Sequence, residues 1–422
     1  MEVFEQSRLA EETGTAIHLA PNANGLLRRL GLKAEDYGAV DCNGMRELTP
    51  DGSTVFSNSL KEVNKMWQHP WHLIHRVHLH RAIKDMATRT DGPGKPVQLH
   101  VSSGVEKVDA QRATVTTRDG STHSGDLVIG ADGVHSATRK EIPGGGLKVF
   151  DSGKSAFRFL LARETLAADP RTGPYVTPDD YLTMCIANDR RVVLYPCVNK
   201  TMINVVCIHP SRETAAQPHS SGWQETGSKT KLLEVFAGFD PSILAILDKA
   251  DPKDVKIWNL LTMDKMPSFV REKLALIGDA AHPFLPDLGQ GGAQAIEDAV
   301  SLAAVLPLGT MAEALPERLT IYERCRYERS HTIQHFTKLA GRDRDKIGPK
   351  DEQIDSKISS LSPISRSNAN ASKCESTLHT ISDTMSGTHQ VSHYRSTLLR
   401  RHRAQDIEHP TVLDQRQGPV SH

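Results

Sequence analysis

The stretch from Leu276 to Asp298 constrains this chain more than any other: Leu-Ile-Gly-Asp-Ala-Ala-His-Pro-Phe-Leu-Pro-Asp-Leu-Gly-Gln-Gly-Gly-Ala-Gln-Ala-Ile-Glu-Asp. A short apolar strand, Leu274 to Ile277, runs into Gly278-Asp279. A proline-punctuated loop follows, and Gly289-Gln290-Gly291-Gly292 then opens a helix whose apolar positions include Ala295, Ile296, Ala299 and Val300. This order places a carboxylate at the tip of a strand, opposite a helix start without side chains. The carboxylate can accept hydrogen bonds from a polyol. The bare helix start offers N–H groups and a positive dipole end to electron-rich atoms. Glycines there let a flat ligand lie against the backbone. His282, before Pro283, reads as a residue that shapes the loop.

The chain has 422 residues, enough for two packed domains or one large domain and a tail. Lys plus Arg and Asp plus Glu both number 51, so no global field draws the molecule to nucleic acid or membrane. No apolar run approaches the ~20 residues of a membrane helix. The acidic N-terminus lacks the order of a signal peptide, which favours the cytoplasm. Six scattered cysteines show no metal-ligand spacing, consistent with a reduced protein that holds no structural metal.

Helical periodicity predicts helices over 22–32 and 75–87, with β-like runs at 97–101, 105–108, 113–117 and 126–129. Between 148 and 267 the pattern becomes β-rich, with strands expected at 156–161, 181–186, 191–195 and 202–208 and one helix at 232–247. The strand–loop–helix pattern returns at 274, and 318–339 reads as a helix. Beyond Asp345 the sole aromatic is Tyr394. With so little apolar surface to bury, 346–422 is expected to be disordered.

The 276–298 segment resembles the ribityl-binding segment of the single-component FAD-dependent aromatic hydroxylases, the family of salicylate and p-hydroxybenzoate hydroxylases. Three further runs resemble the same family. Glu5 ends a β-like Val-Phe, and Gly14-Thr15-Ala16-Ile17 precedes Pro21-Asn22-Ala23. Arg76 stands in an Arg-x-x-Leu helix. Gly130-Ala131-Asp132-Gly133-Val134-His135-Ser136-Ala137-Thr138-Arg139 follows a buried strand.

The resemblance implies an α/β, FAD-binding Rossmann-like (p-hydroxybenzoate hydroxylase-like) fold with an inserted, mostly antiparallel β-sheet substrate domain. The FAD-binding parts are expected at 1–147 and 268–345, and the substrate sheet at 148–267. It implies FAD as cofactor and NAD(P)H as co-substrate. Cofactor contacts are expected at Glu5, Gly14, Ala16, Arg76, Asp132, Gly133, Asp279, Gly289, Gly291 and Gly292. In the family a strand and a GxGxxG loop precede the residue matched by Glu5. This chain starts at the second strand, so an N-terminally incomplete FAD domain is expected. The implied reaction is NAD(P)H- and O₂-dependent hydroxylation of a phenolic small molecule, with Arg158 facing a substrate oxyanion and Tyr195 holding a phenolate. Epoxidation of a polyketide or terpenoid and a non-catalytic remnant are the rival expectations.

Overall fold

The computed structural model describes residues 1–9, 14–92, 94–176, 180–214, 227–343 and 345. The tail expected at 346–422 lies outside them.

The largest element is a seven-stranded sheet whose members, in spatial order, are Lys256–Met263, Val149–Ala162, Met202–Pro210, Arg191–Cys197, Tyr181–Ile186, Gly44–Leu48 and Thr54–Ser59. All of its pairings are antiparallel except that of Tyr181–Ile186 with Gly44–Leu48. The period-2 alternation of these strands splits them into two faces. Phe157, Phe159, Val205, Cys207, Val192 and Leu194 point one way, into a core closed by helices Lys229–Val235 and Pro241–Asp248. Each large apolar side chain so buried contributes about 1.5–3 kcal/mol. The opposite face carries Ala156, Val206, Ile208, Val193 and Trp258, and Leu285 of the glycine-flanked loop packs against it.

Two sequence expectations change here. The single helix expected at 232–247 is two helices, because Asp240 caps a new start by accepting from the Ser242 N–H at 2.8 Å, with Pro241 in the first turn. The sheet also recruits Gly44–Leu48 and Thr54–Ser59 from the first 147 residues, so it extends beyond the expected 148–267 segment. That recruitment depends on long-range pairing, which local periodicity does not encode.

The remaining strands form smaller sheets. Val128–Gly130 runs parallel to Leu274–Leu276, which pairs in turn with Val270–Arg271. Glu2–Phe4 runs parallel to Gln98–His100, and Ala16–Leu19 pairs antiparallel with His72–His75. Helices Gly291–Val305 and Leu315–Ala340 pack on the Leu274–Leu276 strand through Leu302, Leu319 and Tyr322, whose hydroxyl donates to the Leu276 carbonyl at 2.8 Å. Among the described residues no helix is long and apolar enough to cross a membrane.

Candidate functional site

Parallel pairing aligns the C-terminal ends of Val128–Gly130 and Leu274–Leu276, so the 130–139 and 276–298 segments leave the sheet side by side. The Ile277 N–H donates to the Gly130 carbonyl at 3.0 Å. Arg139 then ties the turns together. Its guanidinium donates to the Ala280 carbonyl at 3.1 Å, the Asp279 carbonyl at 3.4 Å and the Val134 carbonyl at 2.6 Å. The two runs are thus held side by side.

Asp279 sits in the turn that follows the Leu274–Leu276 strand. Its carboxylate accepts no hydrogen bond from the described residues. Burial raises its pKa, an effect opposed by nearby His282 and Arg139. A half-buried carboxylate with lone pairs to spare matches a ligand rich in hydroxyls.

Behind Asp279 lies a charge network that sequence reading missed. Asp298 accepts from the Gly278 N–H at 2.8 Å, and His282 Nε2 stands 2.7 Å from the same carboxylate. Arg326, fully buried, donates to Asp298 at 2.6 Å, to Gln294 Oε1 at 2.7 Å and to Glu297. Glu297 also accepts from Arg329 at 2.6 and 2.7 Å and from Asn22 Nδ2 at 2.6 Å. Burial opposes charge on Glu297, but the two arginines and Asn22 prevail and hold its pKa down to about 2. Three helices and the Asp279 turn are thereby fixed to one ionic hub.

The helix start at Gly291 has no side-chain cap, leaving backbone N–H groups for a ligand. A Cβ on Gly291 or Gly292 would meet its nearest neighbour only at 3.5 and 3.7 Å. Gly289 is different: its φ is +62°, and a Cβ there would lie 2.6 Å from His18 Nδ1. Gly14 is the contact surface for Arg76, since a Cβ on it would come within 2.5 Å of Nε. Gly133 adopts φ +76° with open space beside it. An orphaned carboxylate facing an uncapped, side-chain-free helix start fits the ribityl chain and ring of a flavin.

Other expected site residues have different occupations. Both Asp132 oxygens are taken: they accept from the Ser136 and Thr138 hydroxyls at 2.5 and 2.6 Å and from the Ala137 and Thr138 N–H groups at 2.7 and 2.9 Å. This carboxylate shapes the turn. Ala16 is buried, and its backbone donates to Asn204 Oδ1 at 2.9 Å while its carbonyl accepts the Tyr195 hydroxyl at 2.8 Å. Tyr195 has therefore committed its only proton, and burial pushes its pKa up. Glu5 follows the Glu2–Phe4 strand and accepts from the Ser7 N–H at 2.7 Å.

Arg158 projects from the sheet face that meets Leu285. Its guanidinium carbon lies 4.4 Å from the Trp258 ring centroid, and its buried Nε has no partner. Desolvation lowers its pKa to about 10, which still leaves the cation intact at neutral pH. Beside it stand Tyr195 and His18, their rings edge-on at 4.9 Å. Sequence reading passed over His18, which lies between two motif residues. Its one signal was a polar residue inside an otherwise apolar strand.

Among the described residues no group of three His, Cys, Asp or Glu side chains could hold a metal ion. A family model described as an FAD binding domain matches residues 4–337. The chain is 30% identical to hispidin-3-hydroxylase of Neonothopanus nambi, over 79% of this chain and 81% of that one. It is 32% identical to the FAD-dependent monooxygenase cfoG of Aspergillus candidus, over 80% and 79%. Its fold matches a salicylate hydroxylase substrate complex with a TM-score of 0.65 at 21% identity, over 92% and 90%.

Proposed function

Since this chain belongs to the FAD binding domain family and is an FAD-dependent monooxygenase, we propose that it hydroxylates an electron-rich, phenolic small molecule at the expense of NAD(P)H and O₂. The observation that carries this reading is the wall opposite the glycine-flanked loop, where a desolvated cation, Arg158, lies over Trp258 with an unpaired N–H. Such a surface suits a flat ring bearing an oxyanion.

FAD, when bound, supplies the redox chemistry that activates O₂ with electrons from NAD(P)H. The protein supplies position and dryness. Asp279 would accept hydrogen bonds from the ribityl hydroxyls, Gly291 and Gly292 would present N–H groups to the ring, and Arg76 would face the phosphate end. Arg158 would hold the substrate oxygen and so orient the ring. Val193, Val206, Ile208 and Leu285 form an apolar lining that keeps water from the reacting atoms.

The experiment is aerobic incubation of the FAD-loaded protein with NADH or NADPH and a panel of phenols and alkenes, followed by product analysis. Hydroxylated phenol, formed in step with NAD(P)H consumption, is the expected result. Epoxide from the alkenes with phenols untouched, or no retained yellow flavin, overturns the reading.

A further inference from the structure

Four buried polar atoms around the sheet-to-loop contact lack hydrogen-bond partners: His18 Nδ1, Arg158 Nε, Asn204 Nδ2 and Trp71 Nε1. They sit close together. His18 lies 5.6 Å from Trp71 and 4.9 Å from Tyr195, ring centroid to ring centroid. Asn204 is the cross-strand partner of Tyr195, and both grip Ala16 two residues before His18. Three of the four atoms carry hydrogen and can only donate. A buried donor left unpaired is costly, so a cluster of them is complementary to an acceptor that arrives from outside.

His18 belongs to the same set. Its Nδ1 is buried beside Gly289 and has no hydrogen-bond partner. An imidazolium at this position would place a second cation beside Arg158, where both groups are desolvated. Burial first, and Arg158 second, push the His18 pKa down to about 4. At neutral pH the ring is thus uncharged. A proton on Nε2, the nitrogen that is not buried beside Gly289, makes the ring a donor. The charged or titratable groups that surround it are Arg158 and Tyr195 from the sheet, with Arg76 near Arg158.

Resting on the phenol reading above, we propose that His18 is a specificity-determining donor: its Nε2–H and the Arg158 guanidinium together select the ionised, acceptor-only oxygen of a phenolic substrate. On binding, the phenol O–H bond breaks, its proton leaves to bulk water, and the ring nitrogen gains none. The electron pair stays on oxygen, where it raises the nucleophilicity of the ring.

Titration of the FAD-loaded protein with para-nitrophenol tests this without turnover, because the bound phenol and phenolate have different absorption spectra. Expected for the native protein is binding as phenolate, with the probe's pKa lowered by about one to two units. The methyl ether, para-nitroanisole, binds at least about 10-fold more weakly. His18→Gln, which keeps an N–H near the Nε2 position, stays within about 3-fold, whereas His18→Leu loses roughly 10- to 100-fold, the loss of one hydrogen bond to a charge. Binding of the neutral phenol, equal binding of the ether, or His18→Gln behaving like His18→Leu overturns the proposal. The last result would make the imidazole a proton acceptor. Phenolate binding without oxygenation of any phenol leaves this inference standing and removes the reaction proposed above. Hydroxylation with phenolate affinity unchanged in His18→Leu does the reverse.

Discussion

Replacing Arg326 with Met tests whether the ionic hub holds the flavin-side turn in place. Arg326 is fully buried and donates to Asp298, Gln294 and Glu297, two of them carboxylates that are themselves fully buried. Methionine fills similar volume but leaves the carboxylates facing each other. Glu297 retains Arg329 and Asn22. Asp298 retains the Gly278 N–H and the nearby His282, and loses the Arg326 guanidinium. Breaking one partner out of a buried ion pair costs about 3–5 kcal/mol. For a chain of this size that amounts to a fall in Tm of roughly 3–6 °C.

Because Asp298 holds the Gly278 N–H, the defect should spread to Asp279, and flavin affinity should fall along with stability. Thermal unfolding and flavin fluorescence on dilution read the two effects. The double variant Arg326→Met/Asp298→Asn removes the orphaned charge, so its loss should be smaller than the sum of the single losses by more than about 1 kcal/mol. Arg326→Met within about 1 kcal/mol of the native protein, or strict additivity in the double variant, refutes the reasoning.

Two further outcomes follow from the site. Tyr195→Phe strands the buried Ala16 carbonyl that now accepts at 2.8 Å, so it should cost about 1–3 kcal/mol in urea unfolding while phenol affinity changes less than about 3-fold. A 100-fold loss of affinity would show that the hydroxyl meets substrate instead. Burial pushes His18 and His209 down to about 4 from 6.5. The unfolded chain therefore binds protons between those values that the folded chain refuses. Stability is complete above pH 6.5 and falls as pH drops toward 4, by up to about 1.4 kcal/mol per unit for each group. A urea midpoint that holds steady or rises from pH 7 to pH 5 contradicts this.

The sequence by itself determined the pieces whose chemistry is local. A strand ending in Gly278-Asp279 and a helix opening at Gly291 are neighbours along the chain, so their spacing alone places the carboxylate opposite the helix start. The helices expected at 22–32 and 75–87, found at Pro21–Arg29 and Arg76–Thr88, and the strand expected at 156–161, found within Val149–Ala162, were legible for the same reason. Tertiary structure alone decided what stands behind and across from that cradle. Asn22 and Glu297 meet from positions 275 residues apart, and Gly44–Leu48 joins a sheet built mostly of strands beyond residue 148. It also reassigned Asp132 to its own turn and Tyr195 to the Ala16 carbonyl, and it set His18 against Gly289. No periodicity records such choices. They follow from how two packed layers pair buried polar groups, and a hydrogen bond between distant segments exists only after the chain has closed around it.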